Sequence, residues 1–256
     1  MISAKEYDKD RFDRSKRIEW IDIQKIRSSR CLVVGAGALG NEAVKGLVLS
    51  GFTNITIVDM DDIVLSNLNR CVFFRESDVG NGMKADILAM RASELDPDVK
   101  ITPKNMKIQE FDDWNEFDVV IGCLDNISAR LHVNGHAYHH GIPYIDGGTD
   151  GMSGKVQVVL PEGPCLQCAM NRSHYKIAET RFSCTGRSSA FYVPKMAAEI
   201  TTTSVIAAMQ VREALKITSG RRDICIKDVA YYDGISGETF ILEVKKDALC
   251  QNHTEE

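Results

Sequence analysis

Short apolar runs alternate along the chain with longer segments in which apolar residues recur at helical spacing. Runs at 32–34, 54–59 and 118–125 suit buried parallel strands. Residues 100–109 predict a further strand, placed at a sheet edge because Pro103 cannot donate to a ladder. Helical patterns follow the runs, beginning near residues 40, 84 and 128. The alternation predicts an α/β fold built on a Rossmann-like, doubly wound sheet.

The pattern changes after residue 140. A strand is expected at 144–147, followed by period-2 alternation over 154–160. Beyond a polar, irregular segment come a long helix predicted for 197–216 and a hairpin pairing 224–232 with 239–245. These segments predict an antiparallel extension of the parallel sheet. Before the first strand, residues 1–29 are highly charged and contain one weakly amphipathic helical stretch.

Composition narrows the class of protein. A chain of 256 residues with 44% hydrophobic content can bury a core of one large domain. The net charge of −5 argues against a nucleic-acid partner, and apolar runs long enough to span a bilayer are missing from the sequence. The charged N-terminus does not resemble a signal peptide, so we expect no membrane association and a cytoplasmic location. Eight cysteines in such a chain favour metal ligands, catalytic thiols and core packing over disulfides.

The first apolar run breaks into a G-x-G-x-x-G pattern formed by Gly35, Gly37 and Gly40. The first glycine permits a tight turn, the second lets a phosphate approach the backbone, and the third lets the helix pack on the strand. The exposed amides at the helix start face an anion. The pattern predicts a nucleotide-binding site, without naming the nucleotide.

Polar residues cluster where the next strands end. Asp59 lies nineteen residues after Gly40, at the spacing where a carboxylate binds the ribose hydroxyls of a nucleotide. The segment 65–70, which contains Asn67 and Arg70, offers donors for a polyphosphate. Lys84 is either solvated or directed at phosphate. Asp125 ends another strand at the same sheet edge and is a candidate magnesium ligand.

Two short cysteine and histidine motifs lie far apart in the sequence. Cys165 and Cys168 form a C-x-x-C pair, and Cys250 and His253 form a C-x-x-H pair near the chain end. Together they supply the four tetrahedral ligands that structural zinc takes. A second histidine group, on the helix after residue 128, comprises His132, His136 and His139 on one face. It lacks an acid partner, and we assign it no metal.

The remaining cysteines divide into two kinds. We expect four of them to be inert core residues, namely Cys31, Cys71, Cys123 and Cys225. Cys184 differs because it lies in polar sequence between Arg181 and Arg187, whose charges favour a thiolate. Cys184 is therefore a candidate nucleophile.

These motifs together resemble those of the ubiquitin-activating-type enzymes, the superfamily that includes MoeB, ThiF and the catalytic subunits that activate ubiquitin-like modifiers. The resemblance extends from Arg11 to His253. The motifs that carry it are the R-x-x-R opening at 11–14, the glycine loop, the Asp59–Asp61 pair, 66–70, 123–126, 145–149, 201–207 and the metal motifs. The resemblance implies one adenylation domain over 1–256, with an N-terminal helical arm at 1–29 and a crossover loop carrying the catalytic cysteine at 169–196.

The resemblance also implies a reaction and its residues. ATP would adenylate the C-terminal glycine of a small ubiquitin-like or sulfur-carrier protein ending in Gly-Gly, and the acyl group would pass to Cys184 as a thioester for a conjugating enzyme. Asp59 would hold the ribose, while Asp61 belongs to the same nucleotide-binding set. Asn67, Arg70 and Lys84 would hold phosphates, Asp125 would bind magnesium, and Arg14 would reach into the other protomer of a homodimer.

Three alternatives remain open. One is MoeB-like adenylation of a sulfur carrier, with Cys184 structural. Another is a scaffold subunit without chemistry, which the intact set of Asp59, Arg70 and Asp125 disfavours. A nicotinamide-dependent dehydrogenase comes last, because the metal motifs and the basic segment would serve no purpose in it.

Overall fold

The computed structural model describes residues 8–170 and 197–253, and these form a mixed α/β fold around one eight-stranded sheet. The strands are β1 (Arg30–Val34), β2 (Asn54–Val58), β3 (Lys100–Lys104), β4 (Val119–Gly122), β5 (Tyr144–Asp150), β6 (Ser153–Val159), β7 (Val229–Asp233) and β8 (Glu238–Leu242). The helices are α1 (Ile23–Ser28), α2 (Ala38–Ser50), α3 (Lys84–Ser93), α4 (Ile127–His139) and α5 (Ile200–Thr218).

The sheet has a parallel half and an antiparallel half. Its strand order is β3-β2-β1-β4-β5-β6-β7-β8. Strands β1 to β5 pair in parallel, and the pairs β5–β6, β6–β7 and β7–β8 are antiparallel. The Rossmann-like sheet and its antiparallel extension are thus confirmed. Strand β3 lies at an edge, as Pro103 predicted.

Each face of the sheet carries its own hydrophobic core. Side chains of α2, α3 and α5 pack on one face around the fully buried Leu47, Leu88 and Ile206. On the other face, α4 packs with the segment between β3 and β4, in which Trp114 is 1% exposed. Residues of the central parallel strands β1 and β4 are covered on both faces, which explains their continuous apolar runs.

Several elements begin or end at other residues than predicted. Strand β3 ends at Lys104 because residues 108–110 form a 3-10 turn that buries Ile108. In the described part of the N-terminal segment, from residue 8 on, the helical elements are the 3-10 turn Ser15–Arg17 and α1, and Phe12 packs into the main core. Helix α4 begins at Ile127, where Asn126 accepts a hydrogen bond from the Ala129 amide at 2.8 Å. None of the helices among the described residues has the length and hydropathy needed to cross a membrane.

Four cysteines are buried in the core, as predicted: Cys31, Cys71, Cys123 and Cys225. Burial raises the pKa of the Cys71 thiol to about 11 and that of Cys225 to about 12. Burial also raises the pKa values of Cys31 and Cys123. All four are therefore protonated at neutral pH and unsuited to nucleophilic chemistry.

Candidate nucleotide crevice and metal cluster

The glycine loop joins β1 to α2, and its three glycines have different surroundings. Gly35 has φ +100°, and a Cβ there would lie 2.4 Å from the Cys123 carbonyl oxygen. A Cβ at Gly40 would lie 2.0 Å from the Gly35 oxygen. At Gly37, which caps α2, a Cβ would meet no atom within 4 Å. Gly35 and Gly40 thus allow the close backbone contacts that fix the loop. Gly37 leaves open space before the α2 amides, where an anion can approach.

Asp59 ties the end of β2 to the glycine loop. Its carboxylate accepts hydrogen bonds from the Ala36 amide at 2.6 Å and the Asp61 amide at 2.8 Å. Burial raises the pKa of the Asp59 carboxyl, while these two amides lower it. Asp61 in turn accepts a 2.7 Å hydrogen bond from Lys84 Nζ at the start of α3. The structure therefore brings Asp59, Asp61 and Lys84 together beside the loop.

The segment predicted to bind phosphates is held by its own hydrogen bonds. Asn67 is buried, and its side-chain oxygen accepts from the Val64 amide at 3.0 Å. Arg70 is half-buried and donates to the Ser66 carbonyl and, at 3.0 Å, to Asn69 Oδ1. Asn67 therefore shapes its turn, and Arg70 is the residue of the pair with a guanidinium near the surface.

Sequence reasoning missed Asn41, which joins this segment to the glycine loop. Asn41 is fully buried and donates to the Ala36 carbonyl at 2.9 Å and the Gly37 carbonyl at 3.0 Å. Its oxygen accepts from the Phe73 amide at 3.1 Å. The signal was a polar residue on the buried face of α2, directly after the third glycine.

Asp125 follows β4 at the carboxyl edge of the parallel strands, the edge where the glycine loop also lies. Its side chain is exposed, and the described residues provide it with no hydrogen-bond or ion-pair partner. A free carboxylate facing solvent at the crevice matches the chemistry of magnesium, which takes one or two carboxylates together with substrate phosphates.

The two arginines of the opening motif have separate environments. Arg11 donates to the Leu95 carbonyl at 2.8 Å and pairs with the buried Asp96 at 2.7 Å. Arg14 is 86% exposed, and among the described residues it forms an ion pair with Asp8 at 3.7 Å. Arg11 therefore anchors the N-terminal segment, whereas Arg14 is available to another molecule.

The C-x-x-C and C-x-x-H motifs meet in one cluster. The ligand atoms of Cys165, Cys168, Cys250 and His253 all lie within 4.8 Å of one another. Cys165 Sγ is 3.9 Å from Cys168 Sγ and 3.6 Å from Cys250 Sγ, and Cys168 Sγ is 3.8 Å from the His253 ring nitrogens. Bonds of about 2.3 Å from one tetrahedral ion place sulfur ligands about 3.8 Å apart, so the four residues can hold a metal ion such as zinc.

A polar residue supports the cluster from outside. Asn252 donates to Cys165 Sγ at 3.5 Å and to Gln167 Oε1 at 3.2 Å. Burial raises the pKa of Cys165, but hydrogen bonds from Asn252 and the Cys168 amide outweigh it and lower that pKa overall. Burial raises the pKa of Cys250 to about 12. Outer hydrogen bonds of this kind orient the thiolate ligands of a metal.

Histidines of α4 and of its C-terminal cap surround the Trp114 ring. Trp114 lies 4.9 Å from His136 in parallel orientation and also contacts His132 and His140. His139, predicted to share the face, contacts Tyr138 instead. Residues 132, 136 and 140 recur every four positions, so His140 rather than His139 completes the row.

A buried ion pair next to the crevice was also missed. Arg130 of α4 donates to both oxygens of Asp146, at 2.9 Å through Nε, and the Tyr144 hydroxyl donates to the same carboxylate at 2.8 Å. Asp146 is fully buried, so its partners compensate the lost hydration.

Cys184, the candidate nucleophile, lies outside the described residues, as do Arg181 and Arg187.

Known proteins share this architecture. Solved structures of E. coli MccB superpose on the chain: the complex with ATP has a TM-score of 0.71 at 19% identity, over 90% of this chain and 68% of that one. The NEDD8-activating enzyme E1 catalytic subunit of Dictyostelium discoideum is 39% identical over 158 residues, 56% of this chain and 36% of that protein. The SUMO-activating enzyme subunit 2 of the same organism is 42% identical over 57% of this chain and 23% of its own length.

The sheet and its glycine loop define the class of Rossmann-like α/β proteins. Within that class the ThiF family model matches residues 13–252, and the chain belongs to the ThiF family. The resemblance drawn from the motifs is therefore confirmed. The alignments span only about a third or less of the lengths of these NEDD8- and SUMO-activating relatives.

Proposed function

We propose that this protein activates a small ubiquitin-like or sulfur-carrier protein by joining its C-terminal glycine carboxylate to AMP from ATP. The observation that carries the proposal is the meeting of an open Gly37, the Asp59–Asp61–Lys84 chain and the free Asp125 at one sheet edge. The similarity to subunits of NEDD8- and SUMO-activating enzymes supports it.

The reaction suits these residues. The substrate carboxylate attacks the α-phosphate and pyrophosphate leaves, so the protein supplies positioning and positive charge rather than a nucleophile. In this proposal Asp59 accepts hydrogen bonds from the ribose hydroxyls. Lys84 gives up its ion pair with Asp61 and binds phosphate oxygens instead. Arg70 contributes a second cation. Asp125 would hold Mg²⁺, which neutralises charge that develops on the phosphates.

We further propose that the acyl group then passes to Cys184 as a thioester, from which a conjugating enzyme takes it. The neighbouring Arg181 and Arg187 favour the thiolate that such a transfer needs. The second candidate function is adenylation alone, in the manner of MoeB, with Cys184 structural. Incubation of the enzyme with ATP, magnesium and the modifier distinguishes the two functions. An adduct that a thiol reductant removes and that Cys184→Ala abolishes, with pyrophosphate exchange retained, supports the thioester. An adduct that survives Cys184→Ala refutes it.

We propose a homodimer in which Arg14 acts in the partner's crevice. The 86% exposure of Arg14 supports this arrangement, because among the described residues of its own subunit only Asp8 forms an ion pair with it. Arg14→Ala and Asp125→Ala variants, each inactive alone, should recover partial activity when mixed as heterodimers. A monomer by light scattering contradicts this arrangement.

The main test is ATP–pyrophosphate exchange measured against a panel of small proteins that end in Gly-Gly. At least one member should support exchange with the wild type, and Asp125→Ala should reduce it by about 100-fold or more. Exchange with no member of the panel would overturn the proposal.

For the cluster of Cys165, Cys168, Cys250 and His253 we propose one structural zinc ion per chain, which metal analysis of the purified protein measures.

A further inference from the structure

The Arg70 segment, residues 65–74, is bound to two helices through the backbone of Phe73. The Phe73 amide donates to the side-chain oxygen of Asn41, on α2, at 3.1 Å. The Phe73 carbonyl accepts a hydrogen bond from the guanidinium of Arg91, on α3. Phe73 is 7% exposed, so its backbone groups are largely shielded from water and depend on these two partners. Asn41 and Arg91 thus form a clamp on this residue, the Phe73 clamp.

The other hydrogen bonds of the Arg70 segment are local. The Arg70 guanidinium donates to the Ser66 carbonyl and, at 3.0 Å, to Asn69 Oδ1. The Arg70 amide donates to the Asn67 carbonyl at 3.1 Å. Among the described residues, the Phe73 clamp supplies the hydrogen bonds that connect the segment to a helix or strand of the fold, and no other bond of the segment does so. The backbone position of Arg70 therefore depends on this clamp, together with the packing of the buried Phe73 ring.

Both helices of the clamp begin at the nucleotide crevice. Asn41 lies in the first turn of α2 and also donates to two carbonyls of the glycine loop, at 2.9 and 3.0 Å. Arg91 lies seven residues after Lys84, which is two turns further along α3 and on the same face of that helix. The clamp therefore connects the Arg70 segment to the glycine loop through one helix and to the helix of Lys84 through the other.

An acidic side chain holds Arg91 in place. Arg91 donates to both oxygens of Asp78, at 2.8 Å through one terminal nitrogen, and its other terminal nitrogen donates to Asp78 and to the Phe73 carbonyl. The Arg91 and Asp78 side chains are 18% and 8% exposed. The hydrogen bonds from Arg91 lower the pKa of the Asp78 carboxyl, so the pair is charged at neutral pH. A guanidinium fixed by such a two-point ion pair presents its remaining donor at one place.

We propose that Asn41 and Arg91 are positioning residues for nucleotide binding, which set the place of Arg70 relative to the glycine loop by holding Phe73. This inference rests on the proposed adenylation function and deepens it, because Arg70 is the second cation of that site. Neither positioning residue touches the nucleotide. Arg70 exchanges its local hydrogen bonds for phosphate oxygens, and a backbone fixed in advance lowers the ordering cost of that exchange.

The test is a double-mutant cycle on the binding of ATP with magnesium to the full chain, measured by isothermal titration calorimetry. Arg91→Met keeps the aliphatic stem and removes the donors to Phe73. It should weaken ATP binding about fivefold, and Arg70→Ala about tenfold. In the double variant the weakening should remain about tenfold, because Arg91 acts through Arg70. Arg91→Lys, which keeps a charged donor, should recover most of the wild-type affinity.

Arg30→Met is the matched control. It removes an arginine that pairs with Asp118 at the end of β1 opposite the glycine loop, and it should bind ATP as the wild type does. Thermal denaturation of each variant shows that it is folded. If Arg91→Met does not fold, Asn41→Ala replaces it in the cycle. The effect of Asn41→Ala should be smaller in the Arg70→Ala background than in the wild type, with the remainder due to its bonds to the glycine loop.

A merely structural role would multiply the two effects, so the double variant would bind ATP about fiftyfold more weakly than the wild type. That result would overturn this inference alone. Unchanged ATP binding by Arg91→Met, or no recovery in Arg91→Lys, would do the same. A wild-type protein that does not bind ATP would overturn the adenylation proposal and this inference with it.

Discussion

The glycine-loop crevice and the Cys/His cluster are built in different ways. The crevice collects residues at the ends of neighbouring parallel strands, and two of its charged groups reach solvent: Asp61 is 53% exposed and Asp125 is exposed, while Lys84 is 11% exposed. The cluster joins residues 85 positions apart, and its Cys165 and Cys250 thiols are buried. Solvent-exposed charged side chains suit reversible binding of a ligand. Buried ligands drawn from two distant segments suit a permanent cross-link between them.

This difference has energetic consequences. Ion pairs at the surface contribute little to the free energy of unfolding, about 0–1 kcal/mol each. A structural metal contributes its binding free energy to folding, because the unfolded chain lacks the assembled site. Substitutions in the crevice should therefore change activity with little effect on stability, and substitutions in the cluster should do the reverse. The exception is a crevice residue that also closes the loop.

Gly40→Ala is that exception and has the largest expected effect. Its Cβ would lie 2.0 Å from the Gly35 oxygen, so the loop must shift, at a cost of about 2–3 kcal/mol in stability and with loss of exchange activity. Gly37→Ala is the matched control, because a Cβ there meets nothing within 4 Å. It should retain the melting temperature while weakening ATP binding about tenfold. Thermal denaturation and ATP titration of both variants measure this, and equal melting temperatures for the two would contradict the assigned roles.

Cys250→Ser tests the other region. The variant should lose the metal ion, and its melting temperature should fall by about 10 °C or more. Metal analysis and calorimetry measure the two effects. Cys225→Ser, a buried cysteine outside the cluster, is the control and should retain its metal. A Cys250→Ser protein that keeps one zinc ion per chain would contradict the assignment.

The two regions also differ in how far the sequence could predict them. The glycine spacing implied a strand, a turn and a helix, and the structure has this arrangement because each step depends on neighbours in sequence. The cluster was predictable despite its long separation, because few other arrangements account for C-x-x-C and C-x-x-H motifs in one chain. Both predictions rest on residues whose spacing is set by chemistry.

Long-range pairing of ordinary residues could not be predicted in this way. Arg130 and Asp146 belong to a helix and a strand whose register against each other depends on the packing of the whole face. The same holds for Asn41, whose partner Phe73 lies 32 residues away. The early end of β3 depends on burial of Ile108, a tertiary effect that overrides the strand pattern.

Lys84→Gln is expected to sharpen the comparison with an effect mainly on activity. Lys84 Nζ lies 2.7 Å from Asp61, and the two side chains are 11% and 53% exposed, so loss of this partly exposed pair should lower the free energy of unfolding by about 1–2 kcal/mol. Loss of a cation that stabilises charge on the phosphates should lower the exchange rate about 100-fold. Exchange kinetics and chemical denaturation measure both. An unchanged rate would place Lys84 outside the reaction.

Glu199→Gln has the smallest expected effect and concerns α5, the helix that packs with α2 on one face of the sheet. Glu199 caps α5 by accepting hydrogen bonds from the Thr201 amide at 2.6 Å and from the Thr202 amide. Hydrogen bonds from Thr202 and Thr201, the Thr201 hydroxyl at 2.7 Å among them, lower the pKa of Glu199 to about 2, from an ordinary 4.5. Since the folded-state pKa is depressed, the stabilisation is fully present above pH 4.5 and is lost as the pH falls toward 2.

At pH 7 the wild type should therefore melt about 2–4 °C higher than Glu199→Gln. The gap should narrow as the pH is lowered from 5 to 3.5, since Glu199 becomes protonated in the unfolded state, where its pKa is the ordinary 4.5, while it stays ionised in the folded state. Calorimetry at pH 7, 5 and 3.5 measures it, with exchange activity at pH 7 unchanged because the cap touches neither the crevice nor the cluster. A gap that is constant with pH would mean that Glu199 acts through shape rather than charge.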